Sequence, residues 1–474
     1  MSVSEPGRGQ GPGNRWKALL AGLSLALCAL LWLNGLVGSL ERPSVGDALT
    51  RRQLQLELLA APALPAPLQP LLNAEQAATQ LEQQLQAQLQ ADPGPGQPEA
   101  LLQLVLLQGQ RGDAAAARAN LRRLEPQVPP EQRPLLTALE QRQRDGGAAG
   151  SRNDEAVADL IAPWRASASP LNRQLLCQAL QPPGSACGEP ALQRQAAWRL
   201  LGVSALPALL LLVGLALLLR ELWLGWRGRI TVAPLLGPTL DLLDVTLLIA
   251  GGFVVLGELS VPLLLAPLSQ WLLAPLAATP VRQQGLQVLI AYGGLMVPPL
   301  LILRQQLAGL QQEPPPGGWL QWRWQPLAGA LRRAVSQVLM VLPVVSLGGW
   351  LVEQVVGDPG GSNPLLELVL TAGDPIALGC LGFTAVVLAP LFEETLFRGV
   401  LLPVLARRWG AWAGVGMSAL TFALAHLSLG ELLPLLLLGL GLGWLRLRSG
   451  RLAPCVLMHA LWNGITFSNL LLLS

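Results

Sequence analysis

The sequence has little charge and few side chains suited to nucleic acid or structural zinc. Only 13% of its 474 residues are charged, and the formal net charge is +3. This small charge, with no block of Lys and Arg interleaved with aromatic residues, argues against a nucleic-acid partner. The five cysteines follow no zinc-binding spacing. Cys177 and Cys187 share one polar segment, where they would either close a short disulfide in an oxidising compartment or remain separate thiols.

Apolar residues make up the larger part of the chain. The hydrophobic fraction is 51% and the mean hydropathy is +0.45, which is typical of a protein that crosses a membrane several times. We therefore predict an all-α, polytopic transmembrane helical bundle. The preference for Ala, Gly, Pro, Leu and Arg is typical of a GC-rich genome, so a bacterial plasma (inner) membrane is the expected location.

Long apolar runs predict about nine membrane spans. Residues 1–16 form a polar cytoplasmic tail, and the apolar run 17–40 is long enough to cross a bilayer and too long for a secretory signal. We interpret that run as an uncleaved anchor. An apolar piece near 260–279 is interpreted as interfacial or re-entrant, because another crossing there would break the alternation of basic loops. The remaining predicted spans are about 199–219, 239–258, 284–303, 334–356, 372–402, 411–429, 431–446 and 453–473.

A polar insert, residues 41–196, separates the first two predicted spans. Its Gln, Ala, Leu and Pro content and its helical apolar period predict an α-helical domain in water. Residues near 98–126 contain a helical pattern, a turn at Gly112 and Asp113 and an Ala-rich helix, which resembles one tetratricopeptide-type hairpin. A single hairpin cannot bury its own apolar face, so a repeat array is not predicted. The chain then continues as accessory transmembrane helices, 197–370, and a transmembrane core, 371–474.

Basic residues predict the orientation of the chain in the membrane. Short loops rich in Lys and Arg stay in the cytoplasm, and such residues occur at alternate junctions between the predicted spans. This alternation places the N-terminus in the cytoplasm and the insert 41–196 outside it. The residues concerned are Arg15, Lys17, Arg220, Arg227, Arg229, Arg304, Arg323, Arg332, Arg333, Arg407, Arg408, Arg446, Arg448 and Arg451.

Two glutamates and an arginine interrupt the apolar core in the stretch LFEETLFRGV, residues 391–400. A charge within a bilayer is expensive and commonly marks function. Glu394 and Arg398 are four residues apart, so they can form an ion pair on one helix face. Glu393 is then left unpaired, and a carboxylate in such surroundings is a candidate general base. The alternative is that these charges only brace helix packing.

The two histidines of the chain fall in the same core. His459 and Asn463 are four apart in HALWNG and share a helix face, and Phe422 precedes His426 by one turn in FALAH, where its ring can pack on the imidazole. Glu393 and His426 lie equally far from the turn between their helices, so antiparallel helices would bring them to one depth. A histidine in a membrane can also serve only as a hydrogen bonder between helices.

Three motifs occur in order: EExxxR at 393–398, FxxxH at 422–426 and HxxxN at 459–463. Together they resemble the motifs of the CPBP family of intramembrane proteases. That family includes the CAAX prenyl endopeptidases, the Ras-converting enzyme and bacteriocin-processing or self-immunity proteins. The similarity covers about 380–473 and does not explain residues 1–230.

The resemblance implies a glutamate-dependent endopeptidase that needs no metal or other cofactor. Glu393 and His426 would activate a water, while His459 and Asn463 would form the oxyanion hole. Such a set agrees with the requirements of peptide hydrolysis, a base near water and donors aimed at the tetrahedral oxygen. The implied partners are a membrane-associated peptide or protein substrate and the lipid bilayer. The residues that would support the site are Glu394, Arg398 and Phe422.

Three alternatives to this mechanism are open at the level of sequence. The same His, His and Glu set could bind zinc with a water as fourth ligand, although HExxH is absent. A non-catalytic membrane scaffold or immunity protein would keep the fold without requiring Glu393. A proton-coupled transporter could use buried Glu and His as a relay, but the sequence has no convincing inverted repeat. None of the motifs identifies the substrate.

Overall fold

Helices form all the regular structure of the described residues. The all-α prediction is therefore confirmed. The chain divides into two compact units, one of Gly46–Pro207 and one that combines Met1–Val45 with Ala208–Leu472. The computed structural model describes residues 12–41, 45–65, 73–91, 97–144, 154–164, 168–181, 187–276, 279–357 and 364–474.

Eight helices of the described residues are long and apolar enough to cross a bilayer. Their number and composition confirm the prediction of an integral, polytopic membrane protein. They are Arg15–Ser39, Pro190–Trp226, Leu242–Leu273, Pro280–Ala308, Leu327–Val356, Pro375–Trp409, Leu432–Ser449 and Ala453–Leu473.

The sequence predicted nine spans, and the described residues have eight helices of sufficient length. The missing one is Ala411–Leu424, here called the short helix. It is apolar but has only 14 residues, which give about 21 Å of rise, less than the roughly 30 Å of a hydrocarbon core. The predicted span 411–429 was too long, because the helix ends early and the chain turns back. Most of the apolar piece near 260–279 continues the helix Leu242–Leu273, and its interfacial or re-entrant position stays a prediction.

The unit Gly46–Pro207 is a helical domain with a leucine-rich core of its own. Within it, Gly112 adopts a φ of +81°, and the Asp113 side chain caps the next helix by accepting a hydrogen bond from the N–H of Ala116. Cys177 and Cys187 form a disulfide. The helices of this region are Val45–Ala60, Ala74–Ala91, Gln97–Gln110, Ala114–Leu124, Arg133–Arg144, Asp154–Ile161, Pro170–Leu180 and Pro190–Leu200.

The helix Pro375–Trp409, here called the glutamate helix, alternates α-helical turns with wider π-helical ones. The π-helical turns are Thr384–Leu388 and Thr395–Leu401, and each is followed closely by a proline, Pro390 or Pro403. In a π-helix, a backbone carbonyl accepts a hydrogen bond from the N–H five residues later. Proline has no N–H, so the carbonyl five residues before each proline has no donor within the helix. Each turn therefore leaves one backbone carbonyl that needs a partner from elsewhere.

Side chains of two neighbouring helices supply those donors. The Ala385 carbonyl accepts a hydrogen bond from Asn463 Nδ2 at 2.7 Å. The Arg398 carbonyl accepts one from Arg446 Nε at 3.3 Å. Because a buried carbonyl without a partner is costly, these contacts fasten the glutamate helix to its neighbours.

Two glycines of the helix Leu432–Ser449 allow the short helix to approach closely. A Cβ on Gly439 would lie 3.0 Å from the Cα of Ala419, and a Cβ on Gly443 would lie 2.8 Å from Cγ1 of Val415. Small residues at such crossings let helix backbones pack tightly in membranes. The GLGLG run is thus explained by helix packing.

Candidate active site

Glu394 and Arg398 form a fully buried ion pair on the glutamate helix, with 2.8 Å between Arg398 Nη1 and Glu394 Oε1. Arg398 Nη2 also donates to the Gly439 carbonyl at 3.3 Å, and the guanidinium carbon lies 4.4 Å from the ring centroid of Phe422. A buried charge is tolerated only when it is paired and hydrogen-bonded. Arg398 meets both conditions and joins three helices.

The Glu394 carboxylate has a second partner that the sequence did not reveal. Its Oε1 lies 2.9 Å from Nδ1 of His459, which is carried by the final helix, Ala453–Leu473. A carboxylate only accepts hydrogen bonds, so Nδ1 carries the hydrogen. The other ring nitrogen, Nε2, lies 3.9 Å from Oε2 of Glu393. Glu394 therefore orients His459 as well as neutralising Arg398.

Glu393 is paired, contrary to the interpretation from sequence. The Tyr292 hydroxyl donates to Glu393 Oε1 at 2.9 Å, whereas no described residue hydrogen-bonds Oε2. Tyr292 belongs to the helix Pro280–Ala308, and its ring meets Phe392 edge-on at 6.3 Å. The interpretation failed because a contact across 101 positions leaves no periodic signal. A hint was available, since Tyr292 is the single tyrosine of the chain.

The helix Pro280–Ala308 is fastened to the glutamate helix near the start of both. Arg282 pairs with Asp374 at 2.8 Å, and Asp374 caps the glutamate helix by accepting a hydrogen bond from the N–H of Ala377. The Arg282 hydrogen bond holds the pKa of Asp374 below its ordinary value, so this carboxylate is ionised at neutral pH. A Cβ on Gly285 would lie 2.6 Å from the Cα of Ala377. These contacts hold the two helices together and so position the Tyr292 hydroxyl beside the Glu393 carboxylate.

His426 lies just beyond the short helix, not on a helix as predicted. The backbone N–H of His426 donates to the Ala423 carbonyl at 3.3 Å. The Phe422 carbonyl is therefore free to accept a hydrogen bond from the imidazole Nδ1 at 2.8 Å. The rings of Phe422 and His426 also meet edge-on, with centroids 4.7 Å apart. Because a carbonyl only accepts, Nδ1 carries the hydrogen, and Nε2 of the neutral ring is an acceptor.

The N-terminal helix Arg15–Ser39 holds the turn that follows His426. Leu427 has a φ of +52°, a left-handed conformation that is uncommon for a bulky residue and clusters at functional sites. A Cβ on Gly35 would lie 2.9 Å from the Leu427 side chain, and the N–H of Leu429 donates to Ser39 Oγ at 3.2 Å. The predicted anchor thus contributes to the placement of an imidazole.

Asn463 uses one amide hydrogen for the carbonyl of Ala385, at 2.7 Å. A side-chain amide has two N–H hydrogens and one acceptor oxygen, so a second donor is left for a ligand. Asn463 lines the same cavity as His459, four residues earlier on the final helix. The shared helix face thus directs both side chains to one space.

One cavity of about 450 Å³ brings the four predicted catalytic residues together: Glu393, His426, His459 and Asn463 all line it. The Glu394 and Arg398 side chains are fully buried beside it. The described residues contain no group of three or more His, Cys, Asp or Glu side chains that could hold a metal ion. Most of the other lining side chains are apolar, among them Phe253, Leu295, Leu381, Leu435, Trp462 and Phe467.

The fold and the site define a polytopic membrane protein with a chamber of carboxylate, imidazole and amide groups among its helices. Residues 375–465 match the family model described as type II CAAX prenyl endopeptidase Rce1-like. This match supports the CAAX protease family that the three motifs predicted for this part of the chain. Tyr292 lies outside the matched residues.

Two further comparisons concern other parts of the chain and its relatives. Residues 46–198 match a domain of unknown function, DUF8675. An Escherichia coli protein described as an uncharacterized 24.3 kDa protein is 36% identical over 141 residues, which are 28% of this chain and 64% of the relative. The chain thus spans less than two thirds of that relative. No solved structure matches the chain.

Proposed function

We propose that the chain is a membrane-embedded, glutamate-dependent endopeptidase. The observation that carries this proposal is the state of Glu393: Tyr292 holds Oε1, while Oε2 has no hydrogen-bond partner among the described residues. A general base needs an available atom within hydrogen-bond reach of water, and this carboxylate lines a cavity. The Rce1-like domain at 375–465 supports the same class of activity.

Glu393 takes a proton from water as the water oxygen attacks the peptide carbonyl. His426 orients that water through Nε2, since its Nδ1 is bound to the Phe422 carbonyl. When the C–N bond breaks, the proton passes from Glu393 to the leaving amine. The products are one new carboxyl group and one new amine, so a single water balances the reaction.

His459 and Asn463 stabilise the tetrahedral oxyanion. Glu394 accepts a hydrogen bond from Nδ1 of His459 at 2.9 Å and so fixes the ring, and an Nε2–H on that ring would serve as the donor to the oxyanion. Asn463 contributes its second amide hydrogen. Donors fixed before the reaction stabilise developing charge most strongly where water is scarce. Arg398 pairs with Glu394 and the ring of Phe422 packs against His459, so both support this arrangement.

The proposed substrate is a membrane-associated peptide or protein, and the proposed location is a bacterial plasma membrane. The basic residues between spans support a cytoplasmic N-terminus and an extracytoplasmic position for residues 41–196. No nucleic acid or cofactor takes part in the proposed reaction.

Cleavage is expected to survive exhaustive chelation, because Glu393 is proposed to activate water without a metal. The purified chain would be incubated with a detergent-solubilised membrane-protein pool, and new peptide termini would be counted by mass spectrometry before and after dialysis against a chelator. An unchanged set of cleavage products is the expected result. Loss of the products, with recovery on addition of zinc, would favour the zinc mechanism instead.

Tyr292→Phe is expected to slow cleavage about 10- to 100-fold, which corresponds to one hydrogen bond to a charged group. The hydroxyl holds Oε1 of Glu393 at 2.9 Å, so its loss leaves the carboxylate less well positioned toward the attacking water. Rates would be measured on one cleaved peptide. Phe253→Leu, an apolar change in the same cavity wall, is the control and should lower the rate far less. A Tyr292→Phe rate equal to the parent rate would remove Tyr292 from the mechanism.

A further inference from the structure

Arginines gather at one end of the unit that contains the site. Arg407 donates to the carbonyls of Pro238 and Leu240, and Arg446 donates to the carbonyl of Leu236 at 2.7 Å. We call this region the basic end. Further contacts there join Arg448 to Thr231 and Glu221, Arg451 to Gln325, Arg323 to Gly450, and Lys17 to Asp244.

Most of the cavity lining on the glutamate helix lies on the side of Glu393 that is away from the basic end. On this helix the lining side chains begin at Leu381 and end at Phe397. Arg407 follows in the last turns of the same helix and belongs to the basic end. The lining thus occupies the part of the helix that is remote from Arg407.

On two other helices, the residues that line the cavity also lie away from the basic end. In the helix Leu432–Ser449, Leu435 lines the cavity near the first turn, whereas Arg446 lies in the last turn. The final helix follows Arg451, and its lining side chains begin only at His459 and continue to Leu470. Since these two helices run in opposite directions, three separate stretches of sequence place the cavity away from the basic end.

We propose that the active-site cavity receives its substrate from the extracytoplasmic side of the membrane. Short loops rich in arginine remain in the cytoplasm, so the basic end is cytoplasmic and the cavity faces the other side. The inference rests on the proposed function and narrows its substrate class. The substrate is then a translocated peptide or the extracytoplasmic flank of a membrane protein, and a prenylated C-terminus in the cytoplasm is excluded.

The lining of the cavity defines the chemistry of that segment. Leu366, Val369, Leu381, Phe467 and Leu470 form apolar walls beyond the catalytic groups. Apolar walls favour apolar side chains of the substrate, at roughly 25 cal/mol for each Å² removed from water. The substrate segment therefore has apolar residues beside the scissile bond and lies close to the outer surface of the bilayer.

Labelling of single cysteines tests the proposed side of entry. Thr466 lines the cavity, and Gln311 is exposed in the loop after Pro280–Ala308, at the basic end. Thr466→Cys and Gln311→Cys would be made in a parent whose free cysteines, Cys28, Cys380 and Cys455, are alanine. Spheroplasts and inverted vesicles would then be treated with a membrane-impermeant maleimide, and each variant would be checked for a single gel-filtration peak.

The expected result is labelling of Thr466→Cys in spheroplasts and of Gln311→Cys only in inverted vesicles. The reverse pattern would overturn the proposal and place the cavity on the cytoplasmic side. Labelling does not depend on cleavage, so this experiment can fail while the protease assignment stands. Conversely, a Glu393 variant that still cleaves would remove the protease assignment without changing the labelling pattern.

Discussion

Replacement of Glu393 by Gln is expected to lower the cleavage rate about 10²- to 10⁴-fold, the usual contribution of a general base. Glutamine keeps the size of the side chain and can still accept the Tyr292 hydrogen bond, seen at 2.9 Å in the parent chain, but it cannot take a proton from water. The measurement is the rate at which new peptide termini form in a solubilised membrane-protein pool. Thermal unfolding in detergent would establish that the variant remains folded.

Glu353→Gln is the matched control for this experiment. Glu353 is exposed near the end of the helix Leu327–Val356 and does not line the cavity. The same chemical change there should leave the cleavage rate at the parent value. If the Glu393 variant produced the same termini at the same rate as this control, the chain would be better described as a non-catalytic scaffold.

Replacement of Arg398 by Leu is expected to destabilise the fold by about 3–5 kcal/mol, the usual cost of removing one partner of a buried ion pair. The guanidinium neutralises Glu394 at 2.8 Å and donates to the carbonyl of Gly439. Its loss leaves the buried Glu394 carboxylate without the guanidinium, while Nδ1 of His459 remains 2.9 Å away as a hydrogen-bond partner. Unfolding in detergent, followed by tryptophan fluorescence, would measure the change.

Two further variants make this stability prediction specific. Arg229→Leu changes an exposed arginine and should alter stability by no more than about 0.5 kcal/mol. The double variant Arg398→Leu with Glu394→Gln removes both charges and should be more stable than Arg398→Leu alone. Equal stabilities of the single and double variants would show that charge pairing is not what Arg398 contributes.

Motif spacing was sufficient to predict which core side chains share a space. Residues at i and i+4 lie on one helix face, and this rule places His459 with Asn463 and Glu394 with Arg398. The rule holds because these pairs are close in sequence and need no knowledge of which helices are neighbours. The chemical roles of these residues remain proposals until they are tested by substitution.

Contacts between distant helices could not be predicted in this way. Tyr292 hydrogen-bonds Glu393 because Gly285 lets the helix Pro280–Ala308 contact the glutamate helix at Ala377. No periodic pattern in the sequence indicates that crossing. The end of the short helix before His426 was missed for a related reason. There the imidazole replaces the backbone N–H as the donor to the Phe422 carbonyl, so a side chain competes with continuation of the helix.

The alternation of α- and π-helical turns in the glutamate helix determines where its carboxylate points. In a regular α-helix, positions four apart drift by about 40° per step, so Leu381 and Phe397 would lie about 160° apart, on nearly opposite faces. The wider turns cancel much of this drift, and every fourth residue between them, including Glu393, faces the cavity. Removal of one residue from the first wide turn, Thr384–Leu388, would rotate Glu393 by about 100° relative to Leu381 and turn the carboxylate away from the cavity. The number of residues in that turn therefore matters to the site as well as the identity of the glutamate.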